Sequence, residues 1–335
     1  MSKNVRTLLK LVVGLAVSIF FLYLAFRQID LHKMAQAFRT VRYSYLLIAL
    51  LLLFASHWMR ARRHRYLLEP IKPISTGSLF SALMIGYMTN TLLPAHLGEL
   101  VRAALIGQRE SVPKASVFAT IAVERIVDVF SLLVLMGIAC VVYPFPREIR
   151  NSGYVTFAFA AGLVIVILLL KRRPKQVASF VSAVSSPFPL KISTKLVALL
   201  SSFRDGLVPL SKPSHYATVS LLSVLLWACY AGIFFVCFHA FGFVEDYHLP
   251  WSASLVVLVI TTISVVVPSS PGYVGTYHWL CMVALGLFGV PESPALSYAI
   301  VAHAISILPV SLLGGILAWK EGIRISNPSG QTRSG

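Results

Sequence analysis

The sequence predicts an all-α polytopic membrane protein with about six spanning helices and two broken hairpins, arranged as an inverted repeat. Three observations predict this fold class: the composition, a series of long apolar runs, and two apolar regions that proline and glycine interrupt. The 335 residues are 57% hydrophobic and 12% charged, and the mean hydropathy is +0.79. Charged residues make up about 25% of soluble globular proteins. The composition therefore excludes a water-soluble globular domain.

Six apolar runs are long enough to cross a bilayer, which requires about 20 residues of helix, or about 17 at the short end. Charged residues bound these runs, and each predicts a spanning helix: 8–26, 43–59, 115–143, 154–170, 216–241 and 295–319. The first run lacks a small-residue cleavage pattern. We therefore expect it to be a retained anchor rather than a signal peptide.

Two further apolar regions, 77–107 and 251–289, contain proline and glycine near their middle. Proline removes a backbone donor and glycine tolerates unusual dihedral angles, so each region predicts a helix, a break and a second helix. Non-helical backbone at membrane depth is stable only where protein or a water-filled cavity surrounds it. We therefore expect both breaks to face the protein interior as re-entrant hairpins. The alternative is two short crossings in each region, which gives eight spans.

The basic residues predict the orientation, because Lys and Arg concentrate on the cytoplasmic side of membrane proteins. Clusters occur at three places: Lys3, Arg6 and Lys10; Arg60, Arg62, Arg63, Arg65 and Lys72; Lys171, Arg172, Arg173 and Lys175. We expect all three on the cytoplasmic side of the inner or plasma membrane, together with both termini, the linker 171–215 and the tail 320–335. Topology and attraction to the anionic inner leaflet then explain the formal net charge of +17 without nucleic-acid binding. Within the linker, the apolar spacing over 191–207 predicts an interfacial amphipathic helix, with a packed linker as the alternative.

The elements recur in the same order in the two halves of the chain, residues 1–143 and 154–319: span, span, broken hairpin, span. The halves start from opposite sides of the membrane. In each break a proline, Pro94 or Pro271, precedes a glycine by four residues. Inverted repeats with discontinuous helices at corresponding positions are typical of transporters, whose site lies near the midplane. The sequence therefore predicts a site between the two breaks, with two unrelated proline kinks as the alternative.

Three charged residues, Glu124, Arg125 and Asp128, lie deep in the third apolar run. Glu124 falls about 14 Å from the cytoplasmic end of the helix, close to the bilayer middle. A charge there costs on the order of 2.5 to 3.5 kcal/mol unless it is paired or faces water, so we expect the cluster to face the interior. One arginine cannot neutralise two carboxylates, which predicts that a proton or a partner completes the cluster. We expect a cation or proton site or an anchor for a polar lipid headgroup; a structural ion pair with Glu99 or Arg102 is the alternative.

The first break is flanked by Asn90, Glu99 and Arg102. A helix that restarts after Pro94 directs unpaired N–H groups and a positive dipole end at whatever the break faces. Phosphate is the natural ligand of such an end. Glu99 is equally consistent with an ordinary capping carboxylate in the first turn.

Two histidines, His278 and His303, lie in the second broken region and the last run. A proton-carrying role would make activity depend on pH between about 5 and 8, and a hydrogen-bonded core histidine is the more common alternative. The sequence shows no Ser-His-Asp triad, phosphate loop, dinucleotide fingerprint or metal-binding helix motif. The four cysteines show no metal-ligand spacing. We therefore expect no metal, no cofactor and no enzymatic activity.

In order along the chain, these motifs resemble the lysylphosphatidylglycerol synthase transmembrane (flippase-like) family. The resemblance covers nearly the whole chain and rests on the segment NTLLPAHLGELVR at 90–102, on Glu124-Arg125 with Asp128, and on Pro271-Gly272 with Gly275. Some members of this family are fused to a cytosolic aminoacyl-transferase domain. Others lack that domain and are linked to translocation of lipids, hopanoids or polyprenyl-linked sugars. The resemblance implies that this protein is of one of these two kinds. The sequence ends soon after Arg324, so we expect no synthase domain.

The sequence departs from the family pattern at two positions. His278 stands where the family often has an acidic residue after its Pro-Gly-Gly break, and His303 stands where an arginine is common in the last span. These differences leave the headgroup specificity and any coupling ion open.

The residues and the resemblance together predict a lipid flippase-like transporter that moves a polar or anionic headgroup through a midplane cavity. The alternative is a membrane-embedded enzyme or accessory protein that acts on lipid-linked phosphate or sugar in envelope lipid synthesis, with Glu99 or Asp128 as a base; a scaffold for envelope-synthesis enzymes is a third hypothesis. Expected partners are a membrane phospholipid or polyprenyl-linked lipid, a second copy of the chain or envelope-synthesis enzymes, and no nucleic acid. The candidate site residues are Asn90, Pro94, Gly98, Glu99, Arg102, Glu124, Arg125, Asp128, Pro271, Gly272, Gly275, His278 and His303.

Overall fold

The computed structural model describes residues 19–27, 29–93, 97–143, 210, 212–262, 264 and 271–322, and the isolated positions 162, 172, 173, 176 and 179. This part of the chain is helical and contains no β-strand. In chain order its helices are α1 (Leu31–Thr40), α2 (Ser44–Leu68), α3 (Thr76–Leu92), α4 (Leu97–Glu110), α5 (Lys114–Val142), α6 (Pro213–Ala240), α7 (Phe243–Asp246), α8 (Trp251–Thr262), α9 (Thr276–Gly286) and α10 (Glu292–Lys320). Residues 19–26 are helical as well. The all-α class predicted from composition is confirmed.

Four of the described helices, α2, α5, α6 and α10, are long and apolar enough to cross a membrane. They correspond to the predicted spans 43–59, 115–143, 216–241 and 295–319. The protein is therefore a multi-pass membrane protein. The predicted span 8–26 lies only partly within the described residues. The amphipathic segment 191–207 lies outside them, and so does the span 154–170 except for residue 162.

Helix α2 extends well beyond its predicted end at Met59, as far as Leu68. The prediction stopped at the first arginine, but Arg, His, Tyr and Leu all tolerate helix, and no proline or glycine interrupts the chain before Pro70. Arg60 and Arg63 therefore lie on one face of the last turns, where both side chains are buried. The sequence did not predict that both arginines would be buried in a helix, and their location on the cytoplasmic side stays a prediction.

The long helices form one packed bundle around the central pair α2 and α6. Helix α10 packs along α3, where Gly314 allows close approach: a Cβ atom there would lie 2.8 Å from the Met88 Cβ atom and would also meet the Met84 carbonyl oxygen. At the other end of α10, Tyr298 is fully buried and donates a hydrogen bond to the Phe234 carbonyl oxygen of α6, 3.0 Å. These contacts fix both ends of α10 against the bundle.

The first broken region forms α3 and α4, of 17 and 14 residues, which are at or below the length of a full crossing. Asn90 closes the break, since its Oδ1 atom accepts a hydrogen bond from the Gly98 N–H, 2.7 Å. A Cβ atom at Gly98 would lie 2.6 Å from that same oxygen and would also meet the Gly86 carbonyl oxygen. Glycine is therefore required at position 98. Pro94 lies outside the described residues.

The second broken region forms α8 and α9, of 12 and 11 residues. A 3-10 turn at Pro271–Tyr273 precedes α9, and Gly272 and Gly275 adopt positive φ angles of 72° and 92°. Residues with a side chain rarely adopt such backbone conformations, which explains why glycine occurs at both positions. A Cβ atom at Gly272 would lie 3.7 Å from the Thr91 Cγ2 atom, so this turn packs against the end of α3. Parts of the two broken regions thus meet inside the bundle, while the inverted-repeat symmetry stays a prediction.

Candidate functional site

A buried cluster of charged side chains links α2, α4 and α5. Glu124 and Asp128 of α5 are at its centre, with relative exposures of 0% and 8%. Arg60 bridges them, because its Nη1 atom lies 3.1 Å from Glu124 Oε1 and 2.5 Å from Asp128 Oδ2. Arg63 donates to Asp128 Oδ1, 2.6 Å, and Arg102 donates to Glu124 Oε2, 2.9 Å. Each carboxylate is therefore held by two guanidinium groups from other helices.

Arg125 is the fourth arginine of this cluster and is held more loosely. Its nitrogens lie 3.4 Å from Glu124 Oε1 and 3.6 Å from Asp128 Oδ2. Its side chain is 40% exposed, whereas those of Arg60, Arg63 and Arg102 are at most 4% exposed. The Nε atoms of all four arginines are buried without a hydrogen-bond partner among the described residues, so Arg125 differs from the others by its exposure and its longer contacts. Arg125 is thus the arginine of the cluster whose side chain is open to a ligand.

We call Arg60, Arg63, Arg102, Glu124, Arg125 and Asp128 the ion cluster. It contains four arginines and two carboxylates, so its formal charge is positive. The sequence predicted the reverse imbalance, one arginine facing two carboxylates. The missing partners are arginines of α2 and α4, and Glu99 does not join them. A net positive cluster disfavours a cation site, because a further cation would be repelled in a medium of low dielectric constant.

Neutral polar side chains complete the ion cluster. The His64 Nδ1 atom lies 2.6 Å from Arg102 Nη2 and therefore accepts, which leaves the other ring nitrogen to pair with Thr120 Oγ1, 3.0 Å. Arg63 donates to Ser223 Oγ of α6, 3.0 Å. A hydrogen-bonded environment of this kind stabilises charges that burial would otherwise destabilise.

The ion cluster borders a cavity of about 330 Å³ between the two halves of the chain. From the first half, its described lining includes His57, Tyr87, Asn90, Thr91, Glu99 and Arg125. From the second half, it includes Tyr230, Thr261, Thr262, Ser264, Gly272, Tyr273, Tyr277, His303 and Ser306. Both broken regions contribute to this lining. Five of the thirteen predicted site residues belong to this lining: Asn90, Glu99, Arg125, Gly272 and His303.

Glu99 lines the cavity, and its one described hydrogen bond comes from Asn90 Nδ2, at 3.4 Å. Asp128 differs, since both its oxygens accept from buried guanidinium groups. Of the two carboxylates that the sequence offered as a base, Glu99 is the one that faces the cavity without a close cationic partner.

The two predicted histidines take different positions. His303 lines the cavity and stacks on the ring of Tyr277, with centroids 4.4 Å apart and planes 14° apart. His278 lies behind it, with ring centroids 4.8 Å apart, and its Nδ1 atom accepts a hydrogen bond from the Gly275 N–H, 3.2 Å. His278 therefore caps α9 and does not belong to the described cavity lining. Proton transfer by either histidine stays a prediction.

Sequence reasoning missed Arg60, Arg63 and His64 as parts of the site. A signal was present: Leu53, His57, Arg60 and His64 recur at three- and four-residue spacing, which places them on one helix face. Among the described residues, no group of three metal-ligating side chains that could hold an ion occurs.

Comparison with known proteins identifies relatives of this chain. A family model described as the lysylphosphatidylglycerol synthase TM region matches residues 11–314. Glycosyltransferase AglD of Haloferax volcanii is 24% identical over 299 residues, which cover 81% of this chain and 48% of that protein. A UPF0104 membrane protein of Methanothermobacter thermautotrophicus is 24% identical, covering 70% of this chain and 73% of that protein. A UPF0104 membrane protein of Methanocaldococcus jannaschii is 21% identical, covering 90% and 92%.

These relatives correct one expectation from the sequence. The prediction that the protein is not an enzyme is contradicted by the relative named a glycosyltransferase, which indicates an enzymatic role within the family. The chain spans about half of that relative's length, 48%. The family match supports a lipid-related role in the membrane. Because the match covers most of the sequence, this chain belongs to the lysylphosphatidylglycerol synthase transmembrane family.

Proposed function

We propose that the protein binds the phosphate-bearing headgroup of a membrane lipid in the cavity beside the ion cluster and acts there in the synthesis of a lipid-linked sugar. The observation that carries this proposal is the positive imbalance of the ion cluster, which reaches the cavity through Arg125. An anion at Arg125 would offset this charge.

The chemistry of Arg125 favours phosphate as the anion. Guanidinium groups present a planar fork of donors that fits phosphate oxygens and binds them in a bidentate manner. Arg125 is loosely held by its two carboxylate neighbours, and its side chain is partly exposed. A phosphate would therefore find a donor that requires little rearrangement.

Glu99 is the general base in this proposal. A general base must reach the proton that it abstracts, and Glu99 lines the same cavity as Arg125. It takes the proton from a hydroxyl group of a lipid-linked sugar as that oxygen attacks the anomeric carbon of a nucleotide sugar. The new glycosidic bond replaces the bond from that carbon to the nucleoside diphosphate, which leaves. Asp128 is unsuited to this role because its oxygens are occupied by Arg60 and Arg63.

Apolar side chains beside the first break offer a place for the lipid tails. Four leucines there are exposed: Leu92, Leu93, Leu97 and Leu100. Such exposed leucines are typical of a lipid-facing surface. The headgroup enters the cavity and the acyl or prenyl chains stay in the bilayer. Cytoplasmic termini, supported by the basic residues around Lys171, are part of the proposal.

The name of the Haloferax relative supports a role in glycosyl transfer, although the aligned region covers 48% of that protein. This chain acts on a lipid-linked phosphate or sugar in one of two ways under this proposal. It carries out the transfer itself, or it presents the lipid to a transferase.

A second candidate function is movement of the headgroup across the membrane. One observation favours it: the cavity is lined by residues from both broken regions, including Thr91 and Gly272. Discontinuous helices that meet at a polar site are typical of alternating-access transporters.

The proposal is tested with the full chain in lipid nanodiscs and polyprenyl phosphate as the probe. Arg125→Gln is expected to weaken binding about tenfold or more, because a charge-assisted phosphate contact contributes about 1.5 to 3 kcal/mol. The matched control is Arg62→Gln, because Arg62 is an exposed arginine of α2. Equal binding by wild type and Arg125→Gln would overturn the proposal. Product formation from a nucleotide sugar, and lipid scrambling in liposomes, then separate transfer from transport.

A further inference from the structure

We infer that the second half of the chain forms an uncharged hydroxyl-binding subsite in the cavity, so that the preferred headgroup is a phosphosugar and not a bare phosphate. This inference rests on the proposed function, because it concerns the same cavity. It adds the part of the ligand that Arg125 does not recognise.

The first observation is a separation of charge within the cavity. The charged residues of the described lining, Glu99 and Arg125, both come from the first half of the chain. The second half contributes hydroxyl, phenol and imidazole groups, and no charged residue among those described. A ligand that spans the cavity therefore meets charge on one side and neutral hydrogen-bonding groups on the other.

The second observation is a set of buried polar atoms that lack partners. His303 is 7% exposed, and its Nε2 atom has no hydrogen-bond partner among the described residues. The Tyr277 hydroxyl group and the His57 Nδ1 atom are also buried without a hydrogen-bond partner among the described residues. All three residues line the cavity. Buried polar atoms are normally satisfied, so three of them around one cavity point to a hydrogen-bonding ligand.

The third observation is the rigidity of the two rings. Tyr277 and His303 are nearly parallel at a centroid distance of 4.4 Å. His278 supports His303 edge-on, and the Gly275 N–H fixes the ring of His278. The pair is thus a preorganised surface of the cavity wall, and binding costs it little conformational entropy.

Hydroxyl side chains around this surface complete the subsite. Thr261 and Ser306 line the cavity and donate their protons to carbonyl oxygens of their own helices, Val257 and Ala302. Their oxygen atoms therefore remain acceptors. Together with the ring groups they offer donors and acceptors without charge. That combination fits the hydroxyl groups of a sugar. A lipid ammonium group would instead be drawn to Glu99, on the other side of the cavity.

The inference is tested by measuring the Kd values of two probes for the full chain in nanodiscs: polyprenyl phosphate, and polyprenyl phosphate that carries one glucose. The wild-type protein is expected to bind the glucosylated probe about tenfold more tightly, as two net hydrogen bonds would give. His303→Phe and, separately, Tyr277→Phe keep an aromatic ring and remove its polar atom. Each is expected to lower the ratio of the two Kd values from about ten to about three, because one of the two hydrogen bonds remains. Tyr66→Phe, on the half-buried face of α2, is the control and is expected to keep the wild-type ratio.

Two results would overturn the inference and leave the proposed function standing: equal affinity of the wild-type protein for both probes, or an equal loss of affinity for both probes in His303→Phe and Tyr277→Phe. Failure of the wild-type protein to bind either probe would overturn the proposed function and this inference with it. Thermal unfolding of both variants in the same nanodiscs identifies a variant that has lost its fold, and the other variant then decides.

Discussion

Arg63 of α2 is fully buried and donates a hydrogen bond of 2.6 Å to Asp128 of α5. The two residues are 65 positions apart in sequence, and neither charge could remain at this depth alone. This contact joins the last turns of α2 to the middle of α5. It therefore determines which face of each helix points inward, and the cavity beside Arg125 follows from that arrangement.

Asp128→Ala is expected to destabilise the protein strongly. Removal of one partner from a buried ion pair leaves an uncompensated charge and costs about 3 to 5 kcal/mol. Unfolding of the purified protein in mild detergent measures the change in free energy. The control is Glu245→Ala, because Glu245 pairs with Arg42 on the surface, where both side chains are about half exposed, 47% and 53%. Exposed pairs contribute about 1 kcal/mol at most, so similar losses in both variants would contradict the role assigned to the ion cluster.

Gly98→Ala is expected to open the first break. Its methyl group would collide with the Gly86 carbonyl oxygen and with Asn90 Oδ1, so α3 and α4 would separate. Overpacking of this kind costs about 1 to 3 kcal/mol, and we expect weaker binding of polyprenyl phosphate as well. Gly77→Ala in α3 is the matched control, because nothing lies within 4 Å of its Cβ position. Melting curves of both variants check the prediction, and a Gly98→Ala protein as stable as wild type would refute it.

Gly314→Ala is expected to loosen α10 from α3. A Cβ atom there would lie 2.8 Å from the Met88 Cβ atom and would also meet the backbone of Met84, which cannot move aside. Gly315→Ala, one position later, would meet only the flexible Met88 sulfur at 3.7 Å. A lower melting temperature for Gly314→Ala than for Gly315→Ala is the expected outcome. The reverse order would show that the approach of the two helices does not depend on this glycine.

Glu99→Gln is expected to separate chemistry from binding. The amide keeps the size of the side chain but removes the proton acceptor, and general base catalysis contributes typically about 10²- to 10⁴-fold. Product formation from glucosylated polyprenyl phosphate and a nucleotide sugar should fall by about that factor, much more than the Kd for the glucosylated lipid changes. The control, Glu292→Gln, changes an exposed carboxylate at the start of α10. An unchanged rate in Glu99→Gln would show that Glu99 has only a structural role. It would also favour movement of the headgroup across the membrane as the function.

The long helices could be predicted from sequence because their signal is local. Apolar runs of about 20 residues identified α2, α5, α6 and α10 without any knowledge of their neighbours. The depth of Glu124 and Asp128 in α5 also predicted correctly that both are buried.

The partners of those carboxylates could not be predicted in the same way. Arg60 and Arg63 followed an apolar run and therefore looked like an ordinary basic cluster at a membrane surface. Their burial depends on α5, whose residue Glu124 comes 64 positions after Arg60. The charge of the ion cluster is a property of three helices together. No single segment carries it, and this is why the sequence predicted its sign incorrectly.

The shared ion cluster also constrains the order of biosynthesis. α2 emerges from the ribosome with Arg60 and Arg63 before α5 exists to receive them. Until Glu124 and Asp128 enter the bilayer, these two arginines can be solvated only by extending their long side chains toward the headgroup region. We therefore expect α2 to reach its final depth only after α5 has been synthesised. A ribosome stalled between the two helices would hold α2 in a shallower position than the one it has in the finished protein.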